Sequence, residues 1–226
     1  MTDHQDPLAV ACLHVSKTYT LRDSSVPALV DVSMQVFVGQ ITAVFGPSGS
    51  GKSTLLRLLS AVDRPDEGQV LYGDISTGEL SARRRRRLRR HTISYVFQEP
   101  GQNLIGYLNA RDHLVLAGQL RGSALDGIDA LLDSVGLGNR ADHLPDELSG
   151  GEQQRLAVAA AVMGEPLLVL GDELTAELDR ASGARLLSSI VDLVRAGTTF
   201  VIASHDPTVR EIADVVVELQ NGRVTS

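Results

Sequence analysis

The 226-residue sequence contains one cysteine and no tryptophan, and only 4% of it is aromatic. Cys12 alone closes no internal disulfide, which excludes a disulfide-stapled fold and suits a reducing compartment. No apolar run approaches the ~20 residues that a spanning helix requires. The most apolar stretches, Leu156–Met163, Leu167–Leu170 and Val215–Val217, are short and flanked by charges. The opening segment, MTDHQDPLAVACL, has acids where a secretion signal would have bases. Any role at a membrane is therefore expected to go through a partner. Internal repeats and low-complexity linkers are absent too. Bases are the minority charge, with 21 Lys and Arg against 28 Asp and Glu and a net charge of −7. That balance argues against general nucleic-acid affinity, and no nucleic-acid partner is expected.

One segment reverses the sign. Arg83–Arg87 with Arg89 and Arg90 hold seven of the 21 bases, which leaves 14 against the 28 acids elsewhere. Such a run most simply forms a solvated helix face. Contact with acidic lipid headgroups is the sharper reading.

The length suits one large α/β domain, or a domain carrying an inserted lobe. Strand-like and helix-like segments alternate, which points to a largely parallel sheet. Val10–Tyr19, Leu29–Val38, Ile41–Phe45, Gln69–Tyr72 and Thr92–Phe97 read as strands. Lys52–Ala61 reads as an amphipathic helix with leucines at 55, 56, 58 and 59. From Gln98 to Gly164 helical stretches dominate: Ala110–Leu120, Leu125–Val135 and Gly151–Met163. Gly122, Gly136, Gly138 and Pro145 punctuate them. Alternation then resumes with strand Leu167–Leu170, helix Arg180–Arg195, strand Thr198–Ala203, a short helix near Thr208–Ala213 and strand Val215–Leu219. The expected organisation is a core of about 1–98 and 165–226 with a helical lobe of about 99–164.

The segment Gly46-Pro47-Ser48-Gly49-Ser50-Gly51-Lys52-Ser53-Thr54 fits the phosphate-loop pattern G-x-x-x-x-G-K-[ST] between a strand and a helix. Glycines 46, 49 and 51 are expected to permit backbone angles closed to other residues. The loop can then aim several N–H groups at one anion, and the helix start adds its positive end. Lys52 supplies charge for the β- and γ-phosphates, and the Ser53 hydroxyl can ligate Mg²⁺. A Gly/Ser-rich turn that binds nothing rarely meets the whole pattern in this setting.

Leu167–Leu170 leads into Gly171, Asp172 and Glu173, and a buried parallel strand delivers such acids to the sheet's carboxyl edge. Asp172 is expected to hold Mg²⁺, and Glu173 to orient and deprotonate the attacking water. His205 follows another apolar strand and can reach the γ-phosphate. Gln98 ends a third and can sense the metal and the water through its amide. A strand-end acid, histidine or glutamine alone is usually solvated; their company gives them weight.

Leu148-Ser149-Gly150-Gly151-Glu152-Gln153-Gln154-Arg155 opens an alanine-rich helix. Ser149 and Glu152 form a capping box. A cap needs no paired glycines, however, and two of them at a helix start expose N–H groups to a second anion. This octet resembles the signature sequence of ABC ATPases. The family's other marks follow in order, over roughly Leu13 to Val224. Tyr19 matches the aromatic residue that stacks on adenine, Gln98 the Q-loop glutamine, and Asp172 and Glu173 the Walker B pair. Leu178-Asp179 matches the end of the D-loop, and His205 the switch histidine. LSGGEQQR, Arg90–Gln98 and Leu137–His143 are similar to the lipoprotein-releasing and macrolide-export branch.

The resemblance implies a P-loop NTPase (RecA-like) α/β core with an N-terminal antiparallel β subdomain and an inserted helical subdomain. It implies ATP and Mg²⁺ as cofactors, and a head-to-tail homodimer, or a heterodimer with a second ABC ATPase. Ser149, Gly150, Gly151 and Gln153 of one copy would meet the phosphate loop of the other. The lobe would dock on transmembrane permease subunits at the cytoplasmic face of the cell membrane, as a peripheral subunit. Some members of the family serve cell division, or act on DNA or ribosomes. A kinase or GTPase would leave Leu148–Arg155 and His205 unexplained. The sequence departs from the family at Leu174, where proline is usual, at Ala176-Glu177, and at Ala160, where arginine is usual. Four residues also separate Gln98 from Asn103. None of these removes a reacting group, so hydrolysis is expected to persist.

Overall fold

The structure is a computed structural model that describes residues 7–21 and 24–225. In chain order its strands are Leu8–Leu21 (β1), Ser24–Phe37 (β2), Ile41–Phe45 (β3), Glu67–Tyr72 (β4), Ile75–Ser76 (β5), Ile93–Val96 (β6), Leu168–Asp172 (β7), Phe200–Ser204 (β8), Val215–Gln220 (β9) and Arg223–Val224 (β10). Its α-helices are Lys52–Leu59 (α1), Ala82–Thr92 (α2), Ala110–Arg121 (α3), Ile128–Ser134 (α4), Gly150–Val162 (α5), Arg180–Arg195 (α6) and Pro207–Ile212 (α7).

The strands form two sheets. An antiparallel one runs β2-β1-β4-β5, and a six-stranded one runs β10-β9-β3-β8-β7-β6, parallel except for β10. This is the α/β core with an antiparallel β subdomain and inserted helices that the sequence implied.

Period-two alternation along the central strands decides which layer each side chain joins. Phe200 and Ile202 enter one apolar cluster, with α3–α6, while Val201 and Ala203 enter the other. On β7, Val169 goes to the first and Leu168 and Leu170 to the second. The second cluster fills the space between the two sheets, where α1 inserts Leu55, Leu56, Leu58 and Leu59. The apolar residues of 99–164 share their cluster with the opposite face of the parallel sheet.

Most element boundaries agree with the sequence reading to within two residues. The largest difference is β2, which begins at Ser24 and not at Leu29 because Ser24–Pro27 pair with Thr18–Leu21 of β1. Two others also have local causes. β6 stops at Val96 because Asn103 claims the next backbone: Phe97 N–H donates to Asn103 Oδ1 at 2.8 Å, and Asn103 Nδ2 donates to Phe97 O at 3.1 Å. The helix expected from Leu125 begins at Ile128, after Gly127 with φ 83°.

Register sets up the site. Phe45 pairs with Ser204, Asp172 with Ala203, and Val96 with Gly171. Four parallel strands thus end level, and the residues just beyond them emerge at one edge.

Candidate functional site

The loop after β3 curls back through Gly49 at φ 78° and Gly51 at φ 107°. Gly46 does not share that left-handed geometry, contrary to the expectation for all three glycines. It is needed for close approach: a Cβ there would lie 2.1 Å from Leu219 O. Gly51 also leads α1 without any side-chain cap, and no acid occupies the first turn. The first N–H groups and the positive end of the helix are left for an anion.

Lys52 is 6% exposed. Its ammonium donates to Gly46 O at 2.8 Å and Pro47 O at 3.2 Å, and lies 3.1 Å from Glu173 Oε1. A cation so desolvated persists only with such partners. Glu173 Oε2 is 2.9 Å from His205 Nδ1 and accepts from His205 N–H at 3.3 Å. Glu173 also holds φ at 49°, a conformation costly for a side chain with a Cβ and concentrated at functional sites. Its N–H donates to Ala203 O at 2.9 Å, which fixes that turn to β8.

Asp172 is held from both sides. Ser53 Oγ donates to Oδ1 at 3.3 Å, and the Tyr95 hydroxyl donates to Oδ2 at 3.0 Å. Burial, then the nearby Asp172 charge, pushes the Tyr95 hydroxyl well above its ordinary pKa, so it stays a donor. Sequence reading passed over Tyr95, since an aromatic residue inside a strand reads as core. It passed over Asp206 and Thr175 as well. Thr175 Oγ1 donates to Asp206 Oδ2 at 2.8 Å, while Asp206 caps α7 through Thr208 N–H at 2.9 Å. This joins the turn after Glu173 to the turn after His205. Burial works to raise the Asp206 pKa, but the Thr208 N–H and the Thr175 hydroxyl hold it below the usual carboxylate value.

These residues border one cleft of about 470 Å³, lined by Ser48, Gly49, Gly51, Lys52, Ser53, Thr54, Gln98, Asp172, Glu173 and His205, with Val26–Ala28 and Ala176. One wall is cationic and helical, and the other is carboxylate and imidazole. The oxygen donors of Ser53, Asp172 and Gln98 share this cleft, a set that fits a hard divalent cation beside phosphates.

Other expected site residues lie elsewhere. Tyr19 does not itself line the cleft but borders it: its hydroxyl donates to Asp63 Oδ2 at 2.9 Å and meets the side chain of the cleft residue Thr54, with Lys17 Nζ 5.8 Å from the ring centroid. Ser149, Gly150, Gly151 and Gln153 are also outside it. Their capping box is present: Ser149 N–H and Oγ donate to Glu152 Oε2 at 2.9 and 2.8 Å. Gln153 Nε2 donates to Pro145 O at 2.7 Å and Leu148 O at 3.1 Å, bracing the loop before α5. The two glycines differ. A Cβ on Gly151 would sit 2.8 Å from Ser182 Cβ of α6, whereas one on Gly150 would meet nothing within 4 Å. Gly151 is thus a packing requirement, and Gly150 an open backbone surface.

The departures are accommodated without disturbing the cleft's charged groups. Leu174 is buried over Gly171, and Ala160 packs half-buried on the core. Among the described residues, no helix is long and apolar enough to cross a membrane.

Comparison with known proteins gives the chain's family and fold. The ABC transporter family model matches residues 29–176. The chain is 38% identical over 213 residues to the lipoprotein-releasing system ATP-binding protein LolD of Shewanella oneidensis, covering 92% of each. It is 38% identical over 228 residues to the macrolide export ATP-binding/permease protein MacB of Rhodospirillum rubrum, covering 99% of this chain and 35% of that protein. The chain therefore spans about a third of the macrolide-export relative. Among solved structures, the dimeric ATP-binding cassette MJ0796, in a post-hydrolysis state bound to ADP and Pi, superposes with a TM-score of 0.84 at 33% identity. The match covers 96% of this chain and 97% of that one.

Proposed function

The chain belongs to the ABC transporter family, and from that membership we propose that it binds and hydrolyses ATP as the motor subunit of a membrane transporter. The observation that carries this reading is the meeting of Lys52, Ser53, Gln98, Asp172, Glu173 and His205 on one cleft. The uncapped start of α1 and the loop N–H groups receive the phosphates, and Lys52 neutralises the β- and γ-phosphates. An arriving γ-phosphate competes with Glu173 for Lys52. Glu173 Oε1 is then free to take a proton from the attacking water. His205, already bonded to Glu173 Oε2, holds that carboxylate in place and can donate to the γ-phosphate. Ser53, Asp172 and Gln98 would hold Mg²⁺, which supplies charge neutralisation on the phosphate oxygens. Tyr95 orients Asp172 for that task.

The start of α5 completes the site from a second subunit. Ser149 and the open backbone at Gly150 meet the phosphates, with Gln153 bracing the segment. Tyr19 lies alongside α1, between Asp63 and Thr54, and would turn from Asp63 to face the adenine. Segment 99–164 is the lobe that docks on separate permease subunits, against the core of 1–98 and 165–226. The chain acts peripherally at the cytoplasmic face. The LolD and MacB relatives suggest cargo of the lipoprotein-releasing or macrolide-export kind.

Steady-state hydrolysis, with light-scattering mass in Mg-ATP, tests the proposal. Wild type should hydrolyse ATP, and Glu173→Gln should bind it, stop turning over and double in mass. A Glu173→Gln chain that stays monomeric at saturating Mg-ATP and binds no nucleotide would overturn it.

A further inference from the structure

We propose that the arginine face of α2 is a docking surface for anionic phospholipid headgroups, which would seat the chain against a membrane. This rests on reading the chain as a membrane-complex subunit, but the observations are its own. α2 carries seven arginines in 11 residues, and none of its residues is buried. The ion pairs among the described residues use other bases; none involves Arg83–Arg87, Arg89 or Arg90. Three of the seven reach only backbone carbonyls: Arg85 to Val62 O at 3.4 Å, Arg89 to Ala61 O at 2.7 Å, and Arg90 to Leu120 O. Arg83, Arg84, Arg86 and Arg87 are exposed and take part in none of these ion pairs.

That arrangement is self-opposing. Five of the arginines lie in the first two turns, at the positive end of the helix dipole, with no acid in the first turn. Burial, together with the charges of Arg85 and Arg86, holds Arg89 below its ordinary pKa. In a chain with 28 acids, neutralising partners would have been easy to place. An external anionic surface relieves both the dipole and the mutual repulsion.

A slot beside the arginines selects the kind of anion. It measures about 440 Å³, with Ile75, Leu80 and Leu88 as its apolar lining and Arg84, Arg87 and His91 among its polar residues. Ile75 is 48% exposed. An apolar slot under guanidinium groups fits an amphiphile, with phosphate on the arginines and glycerol or acyl carbon on Ile75. Nucleic acid needs no such floor, and the excess of acids elsewhere in the chain disfavours a long polyanion. A bilayer meets only the local face, since charges more than about 8–10 Å away are screened at physiological salt.

Co-sedimentation of the purified full chain with vesicles tests this. Vesicles of phosphatidylglycerol in phosphatidylcholine should retain wild type, and phosphatidylcholine alone should not. Arg84→Gln and Arg87→Gln should each weaken retention about fivefold, and the fourfold Gln variant at 83, 84, 86 and 87 about 100-fold or more. Glutamine keeps the helix propensity, so circular dichroism and ATP hydrolysis should be unchanged. Ile75→Asp should weaken retention with all seven arginines intact. The proposal is overturned if wild type ignores phosphatidylglycerol, or if the fourfold variant is retained like wild type. Displacement by duplex DNA or polyglutamate at charge concentrations below the lipid's would also overturn it, in favour of that partner. A wild type that hydrolyses ATP but ignores vesicles defeats only the lipid surface. Arginine-dependent retention by a chain with no hydrolysis defeats only the motor reading.

Discussion

Three helices in the described residues begin beside glycines; α4, after Gly127, carries Asp129 in its first turn, while α1 and α5 treat their exposed N–H groups in opposite ways. α1 starts after Gly51 with no side-chain cap and no acid in its first turn, inside a cleft with Lys52. α5 starts with a closed capping box, and the Glu152 carboxylate occupies its N-terminus. Hydrogen bonds from the Ser149 backbone and hydroxyl hold Glu152 below its usual carboxylate pKa. An uncapped start costs stability that a ligand restores, so it marks a place built to be filled. A capped start with one open glycine is stable alone and serves to close a site built elsewhere. One is a socket and the other a lid, and on the proposed reading they belong to different subunits.

The largest effects should come from emptying the socket. Lys52→Ala should cut the hydrolysis rate by about 10²–10³-fold, and Glu173→Gln by about 10²–10⁴-fold, in a phosphate-release assay. A rate within about twofold of wild type for either would reverse the assigned roles. The lid should fail differently. Gly150→Glu adds a carboxylate where phosphates would arrive, so hydrolysis and ATP-driven dimerisation should fall by about 100-fold. Nucleotide affinity of the isolated chain should stay near wild type by calorimetry. Equal loss of affinity would erase the distinction between the two helix starts.

Thermal or denaturant melts separate the two glycines of the lid. Gly151→Ala forces a Cβ to 2.8 Å from Ser182 and should cost about 1–3 kcal/mol. Gly150→Ala should change stability by less than about 0.5 kcal/mol. Inside the socket, Tyr95→Phe removes one of the two hydroxyls on Asp172, worth about 1 kcal/mol. The Mg²⁺ concentration for half-maximal hydrolysis should rise a few-fold, with ATP affinity little changed.

A comparably small effect lies at the other end of α1. Asp63 accepts from Arg57 Nε at 2.9 Å and from Tyr19, and the Arg57 bond is the first cause of its lowered pKa. Arg57 is half exposed, so Asp63→Asn should cost only about 0.5 kcal/mol at neutral pH. The folded pKa lies below the unfolded value of about 3.9. The stabilisation is therefore complete above that value and is lost as pH falls through the folded one. The gap between melts of wild type and Asp63→Asn should begin to close below about pH 4 and vanish once pH is below the folded pKa, and a gap that persisted there would assign the effect to packing.

What the sequence determined alone was local. The phosphate loop, the acids after an apolar strand, the capping box and the strand–helix alternation are each written in consecutive residues. Backbone geometry at that scale depends on neighbours in the chain. Hence α6 begins and ends where the pattern put it, at Arg180 and Arg195. Only the tertiary structure decided what those pieces meet. Register levels the ends of β3, β6, β7 and β8, bringing Lys52 to Glu173 across 121 positions of sequence. It turned Tyr95 from a core aromatic into a partner of Asp172, and joined Thr175 to Asp206. It also gave the three loop glycines different reasons to exist, since close approach to Leu219 is a fact about β9 and cannot be read from residues 46–54. Contacts of that kind depend on distances between remote segments, and a linear pattern carries no such distances.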